Sequence, residues 1–85
     1  GERHAPYNLA QLYRTGKGGI QDKKKAVEYY ALAAERGHPE GHFSLGFMYF
    51  EGSGTAVDME KARYWWEKAK SNGVARADEA LSRIP

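Results

Sequence analysis

There is no cysteine among the 85 residues, so neither a disulfide framework nor a thiolate metal site is available. No apolar run approaches the roughly 18 residues that a membrane-spanning helix requires. Net charge is also scarce: 13 Lys and Arg against 11 Asp and Glu leave +2, which gives no electrostatic case for a polyanionic partner. Large aliphatic side chains are few, with Leu, Ile, Val and Phe together numbering 13. Such scarcity points to disorder only beside a high net charge, and here the chain is near neutral. What it has in place of aliphatics is 12 Ala, 11 aromatic residues and 10 Gly. The core of this single small domain must therefore be built from small residues and rings. The absence of cysteine does not fix a compartment: periplasm or envelope and cytoplasm are both open.

Those residues recur with a period. Shifting the chain by 36 positions makes 11 of 49 compared residues identical. Leu9 meets Leu45 and Leu81, Tyr13 meets Tyr49, Gly16 meets Gly52, and Gly18 meets Gly54. Asp22 meets Asp58, Lys25 meets Lys61, Ala26 meets Ala62, and Ala33 meets Ala69. Gly1, Gly37 and Gly73 share one column, and ring replaces ring at Tyr7/Phe43, Tyr29/Trp65 and Tyr30/Trp66.

Each unit reads as two helices. Ala5, Leu9, Leu12 and Tyr13 recur at helical spacing, as do Leu45, Met48 and Tyr49, and both sets are read as a core face. Ala10 and Gly46 are small enough to let a neighbouring helix come close. Glycine-rich loops follow at 15–21 and 51–57, and then Asp22 and Asp58 stand where an N-cap is wanted. The second helices carry Ala26, Tyr29, Tyr30 and Ala33, matched by Ala62, Trp65, Trp66 and Ala69 at i, i+3, i+4 and i+7. Gly37 and Gly73 end them, and Pro39 suits a first helical turn. The pattern predicts helices near 5–14, 23–36, 39–50 and 59–72, with a short last one from Ala75 to Arg83.

The second unit carries Leu45, Gly46, Tyr49, Gly52, Gly54, Asp58, Lys61, Ala62, Trp65, Trp66, Lys68, Ala69 and Gly73. The first carries Leu9, Ala10, Tyr13, Gly16, Gly18, Asp22, Lys25, Ala26, Tyr29, Tyr30, Ala33, Ala34 and Gly37. Over nearly the whole chain this pattern is similar to the Sel-one-like repeat, a relative of the tetratricopeptide repeat. The resemblance implies an all-α solenoid of antiparallel helix pairs: unit one over about 5–37, unit two over about 41–73, and a capping segment over 74–85. It also implies a non-catalytic scaffold for protein–protein contacts, without cofactors. A disulfide-rich branch of the same family is linked to β-lactam binding or hydrolysis, but that branch depends on cysteines missing here. One departure concerns the loops. Where the family has a branched residue after the second loop glycine, this chain has Gly19 or Thr55, and Ile20 and Val57 are the expected substitutes.

The ends carry expectations of their own. Glu79 and Arg83 replace Phe43 and Phe47 in the third column, and Pro85 cannot continue a helix, as befits a polar capping unit. Gly1 falls in the column of a helix-ending glycine, so the chain is expected to be the C-terminal part of a longer array. Its N-terminal face, if uncapped, is a candidate for self-association.

The candidate binding residues lie on the first helix of each unit. Phe43, Phe47 and Phe50 form an i, i+4, i+7 stripe offset from the core face, in the columns of Tyr7, Gln11 and Arg14. In the related tetratricopeptide fold such positions line the concave groove that receives peptides, so the resemblance implies a groove that is aromatic at one end and polar and cationic at the other. Aromatic and Arg side chains are the usual anchors of binding hot spots. The alternative is that the three Phe pack against the next unit.

Three other patterns lead elsewhere. Trp65, Trp66, Tyr29 and Tyr30 beside Lys23-Lys24-Lys25 have the composition of a base-stacking platform, but at least one ring of each pair falls on the Ala face and the net charge is small. No nucleic-acid partner is expected. His38 and His42 are four apart, yet Pro39 places His38 at or before the helix start, and no third ligand stands nearby; no metal site is expected. Gly16-Lys17-Gly18-Gly19 follows no strand, and its repeat partner Gly52-Ser53-Gly54 has no lysine, so these are turn residues rather than a phosphate loop. Nor does the sequence place a nucleophile, base and orienting group at spacings that the repeat would bring together.

Overall fold

A computed structural model describes residues 4–85, apart from the side chain of His4, as five helices: α1 His4–Thr15, α2 Lys23–Glu35, α3 Pro39–Glu51, α4 Met59–Ser71 and α5 Arg76–Leu81. The column position of Gly1 lies outside the described residues. Helix starts follow from the caps. Asp22 accepts from the Lys25 amide and Asp58 from the Lys61 amide, both at 3.1 Å, each satisfying a donor that the first turn leaves free. α3 starts differently, with His38 as its N-cap: the Nδ1 atom accepts from the Gly41 amide, and Pro39 opens the first turn.

The helix ends are equally specified. After α2, the amide of His38 reaches the Ala33 carbonyl at 3.0 Å across Gly37, which takes φ +82°. After α4, Val74 reaches Ala69 across Gly73 at φ +91° in the same way. These are Schellman ends, in which the left-handed residue is normally glycine. Within each unit a further bond clasps the loop, from Asp22 N–H to the Tyr13 carbonyl and from Asp58 N–H to the Tyr49 carbonyl. The lysines three residues beyond those aspartates lie over the same tyrosines, Lys25 at 5.5 Å from the Tyr13 ring and Lys61 at 5.2 Å from the Tyr49 ring.

α1 pairs with α2 and α3 with α4, while α2 packs on α3 and α4 on α5, so the helices stack in chain order as a solenoid. Two core clusters straddle the units. One joins Ala10, Ala26, Tyr30 and Ala34 to Leu45 and Met48; the other joins Phe43, Trp66 and Ala69 to Val74, Ala77 and Ala80 of the cap. Trp66, Tyr30 and Leu45 are the largest fully buried side chains, and alanines recur in both clusters around them. Trp66 and Tyr30 thus sit where the periodicity requires, inside rather than on display. Among the described residues, no helix is long and apolar enough to cross a membrane.

Two sequence expectations need correction. Leu9 and Leu12 stand in the columns of Leu45 and Met48 but are about 41% and 43% exposed, against 1% and 3%. The reason is stacking: α2 covers the α3 pair, and among the described residues no helix takes that place over α1. Ile20, 73% exposed, does not fill a packing role in its loop, whereas Val57, though 57% exposed, lays its Cγ2 against Gly52. The loop glycines of one column differ. Gly54 has φ +76° and backs onto the Lys23 carbonyl at the start of α2, whereas the first loop places its second left-handed residue one position later, at Gly19.

Candidate functional site

The first helices of successive units lie on one side of the stack, and a cleft of about 400 Å3 runs between them. Tyr7, Gln11 and Arg14 of α1 line it, together with Phe43 and Phe47 of α3. Of the six residues singled out from the sequence, five therefore meet on one cavity. Phe50 does not line it. Its ring packs on Trp66, 5.2 Å between centroids, in the core shared with the cap.

The stripe itself is divided between cavity and core. Phe43 is buried among Val74, Ala77 and Ala80, and Phe47 meets Trp66 edge-on at 5.5 Å. Both rings also contribute to the cleft lining, so packing against the next unit and facing the cleft are not exclusive.

A pairing of columns accounts for the departure of Phe50. In the first unit Arg14 Nε donates to the Tyr30 hydroxyl at 2.9 Å. Thirty-six residues later the same two positions hold Phe50 and Trp66, ring against ring. The unit with a phenol at its centre has a hydrogen-bonding cation beside it, and the unit with an indole has another ring. The indole N–H is satisfied elsewhere, by the Phe43 carbonyl at 3.0 Å.

Tyr30 and Met48, placed on helix faces from the sequence, also line the cleft, as do Glu40, Ser44, Glu51 and Arg76, which were not singled out. Arg76 of α5 forms an ion pair with Glu40 of α3 and lies over the Phe43 ring, 4.7 Å to its centroid. The signal for this pair was present, since positions 40 and 76 are one period apart and carry opposite charges. On the opposite wall Tyr7 stacks on His38 at 4.5 Å, nearly parallel. Burial pushes the Tyr7 phenol above its ordinary value, and the Ser44 hydroxyl partly offsets this. The cleft is thus floored by Phe43, Phe47 and Met48 and rimmed by hydroxyls, an amide and charges of both signs.

The two histidines serve the backbone. While His38 caps α3, the Nε2 atom of buried His42 lies 2.8 Å from the Ala34 carbonyl and its ring stacks on Trp65. His42 thereby ties α3 to α2. Its Nδ1 is buried without a partner.

Comparison with known proteins gives a consistent picture. The family model described as Sel1 repeat matches residues 4–38 and 39–74. The ERAD-associated E3 ubiquitin-protein ligase component HRD3A of Arabidopsis thaliana is 31% identical over 83 residues, covering 96% of this chain and 12% of that protein. Chitin synthase regulatory factor 1 of Schizosaccharomyces pombe is 33% identical over 84 residues, covering 98% of this chain and 18% of the relative. The crystal structure of a Sel1 repeat protein from Oxalobacter formigenes superposes with a TM-score of 0.94 at 35% identity, over 98% of this chain and 24% of that one. The chain therefore spans less than a fifth of the curated relatives named here.

Proposed function

The chain belongs to the Sel1 repeat family, and from that premise we propose that it is a non-catalytic protein-interaction scaffold that holds a peptide or protein segment in the cleft of its first helices. The observation that carries this reading is the cleft itself: three successive first-type helices, α1, α3 and α5, contribute side chains to one apolar-floored cavity with a polar rim. A few polar groups converging on an apolar floor is the usual form of a recognition site. The relatives agree in kind, one being a ligase component and another a synthase regulatory factor. A non-catalytic role is supported by His38 and His42, whose hydrogen bonds to the Gly41 amide and the Ala34 carbonyl serve the backbone. That Tyr30 and Trp66 are fully buried supports a protein rather than a nucleic-acid partner, because neither ring has a face to offer a base. Self-association through α1 would rest on half-exposed Leu9 and Leu12, and sedimentation over a wide concentration range tests it.

The cleft is tested with peptides selected from a display library on the parent protein, their affinities then measured by fluorescence polarisation. Phe47→Ala is expected to weaken binding by about 2 kcal/mol, a hot-spot effect. Gln11→Ala is expected to act in the same direction and more weakly. A thermal melt separates lost contact from lost packing on Trp66. Selected peptides that bind both variants with parental affinity would remove the cleft as the binding site.

A further inference from the structure

The two arginines on the cleft are held in different ways. Arg76 is engaged by the Glu40 carboxylate and lies on the Phe43 ring. Arg14 has no carboxylate partner among the described residues. Its Nε donates instead to the hydroxyl of Tyr30, whose ring is fully buried. That bond uses one of the five guanidinium donors and orients the plane of the group, leaving both terminal nitrogens without an acceptor among the described residues. A long side chain ordinarily spends entropy when it is ordered for binding. Here the ordering contact is already present in the free protein and comes from a rigid ring.

A planar fork in a fixed orientation matches a carboxylate, which it receives through two parallel N–H···O bonds. Phe47 and Met48 line the same cavity, so an anion on Arg14 and an apolar side chain on that floor are within reach of one short segment. Arg14 is exposed, which leaves room for a chain to continue past it. Resting on the cleft reading above, we infer that the preferred occupant is an internal segment with an aromatic or aliphatic residue beside an Asp or Glu. The acidic side chain docks on Arg14, and Tyr30 acts as the positioning residue behind it. Glu51, which lines the cavity and has no ion-pair partner among the described residues, opposes this carboxylate and limits the affinity.

The probe is acetyl-Gly-Phe-Glu-Gly-amide, compared with its Gln analogue and with the Gln peptide bearing a free terminal carboxylate. Binding is followed in amide correlation spectra of the uniformly labelled chain. Charge-assisted bonds of this kind lead to an expected preference of about tenfold for the Glu probe over the Gln probe, falling as salt is raised. Arg14→Gln is expected to bring the ratio to about one and Glu51→Gln to increase it. Tyr30→Phe, which keeps the buried ring, is expected to reduce the ratio while leaving the weaker Gln-probe affinity unchanged. Arg14→Lys, which keeps the charge without the fork, is expected to fall between parent and Arg14→Gln. Equal binding of the Glu and Gln probes, or a ratio that survives Arg14→Gln, overturns the carboxylate assignment and spares the cleft if its amides shift with both. A free terminal carboxylate as effective as the Glu side chain overturns the choice of an internal segment. No shift at cleft amides with any probe overturns the inference and the cleft reading together.

Discussion

Gly46→Ala separates two opposed effects by sign. Gly46 is an interior residue of α3, and at such a position alanine is the better helix former by about 1 kcal/mol. On propensity alone the variant would be more stable than the parent. The structure reverses that expectation. A Cβ at position 46 would lie 2.5 Å from Cδ1 and 2.6 Å from Nε1 of Trp66, well inside contact distance. The indole has no direction of retreat. It is fully buried, its N–H is bonded to the Phe43 carbonyl, and Phe43, Phe47 and Phe50 surround it with centroids 6.2, 5.5 and 5.2 Å away. Overpacking a filled core costs about 1–3 kcal/mol. Pulling the buried N–H from its acceptor adds a penalty of about 1–3 kcal/mol. Against the propensity gain, the net expectation is a destabilisation of about 2–3 kcal/mol. For a domain of this size that corresponds to a melting temperature roughly 10–20 °C lower. Urea unfolding followed by tryptophan fluorescence and circular dichroism measures it directly. The second arm is Gly46→Ala combined with Trp66→Tyr, which rebuilds the Ala10–Tyr30 pairing of the first unit in the second. Because the two residues touch, the double variant is expected to be more stable than the sum of the single losses by about 1 kcal/mol or more. A Gly46→Ala protein as stable as the parent, or more stable, would refute the account of the indole as a fixed wall.

Three further perturbations follow from the same geometry. Gly54→Ala is expected to lose about 2 kcal/mol or more in chemical denaturation, because φ is +76° and the new Cβ would meet the Lys23 carbonyl oxygen at 2.3 Å, whereas Gly18→Ala in the same column meets Leu12 only at an ordinary 3.8 Å and is expected to be neutral or slightly stabilising. Asp58→Ala and Asp22→Ala each remove an N-cap and are expected to cost about 1 kcal/mol by thermal melting, with similar values because the two caps have the same geometry. The Tyr7 phenol is held above its ordinary 10.0, mainly by burial, so the folded state retains that proton longer than the unfolded chain. Stability from this source is complete below pH 10 and fades as pH rises through the folded value; Tyr7→Phe is expected to flatten that part of the alkaline unfolding profile, and ultraviolet titration of phenolate locates it.

How much was legible in the chain depended on whether a property is local to one unit. Caps, loop clasps and helix-ending glycines repeat with the period because each is made within about ten residues, so Asp22, Asp58, Gly37 and Gly73 announced the helices that the fold contains. Burial of a helix face is not local. Leu9 and Leu45 are the same residue in the same column, and only the presence of α2 over one of them makes the difference. The candidate site was legible to the extent that one column on successive helices lines one side of a stack. The exit of Phe50 from the lining required knowing that columns 14 and 30 of the first unit touch, because only then does Phe50 belong with Trp66. Ile20 and Val57 were assigned by analogy of residue type, and only Val57, against Gly52, meets its own loop while Ile20 stays 73% exposed.

The cleft draws its walls from α1, α3 and α5, which belong to three successive units. A change in the angle between neighbouring units would therefore change the width of the cavity, and the joint where α2 meets α3 is close-packed, a Cβ added at Gly41 lying 3.0 Å from the Ala33 Cβ. Grip and bending would then be one mechanical coordinate. An occupant spanning α1 to α5 would work as a splint, raising the bending stiffness of the stack. Tension or curvature applied to the chain would in turn alter its affinity by the same free energy.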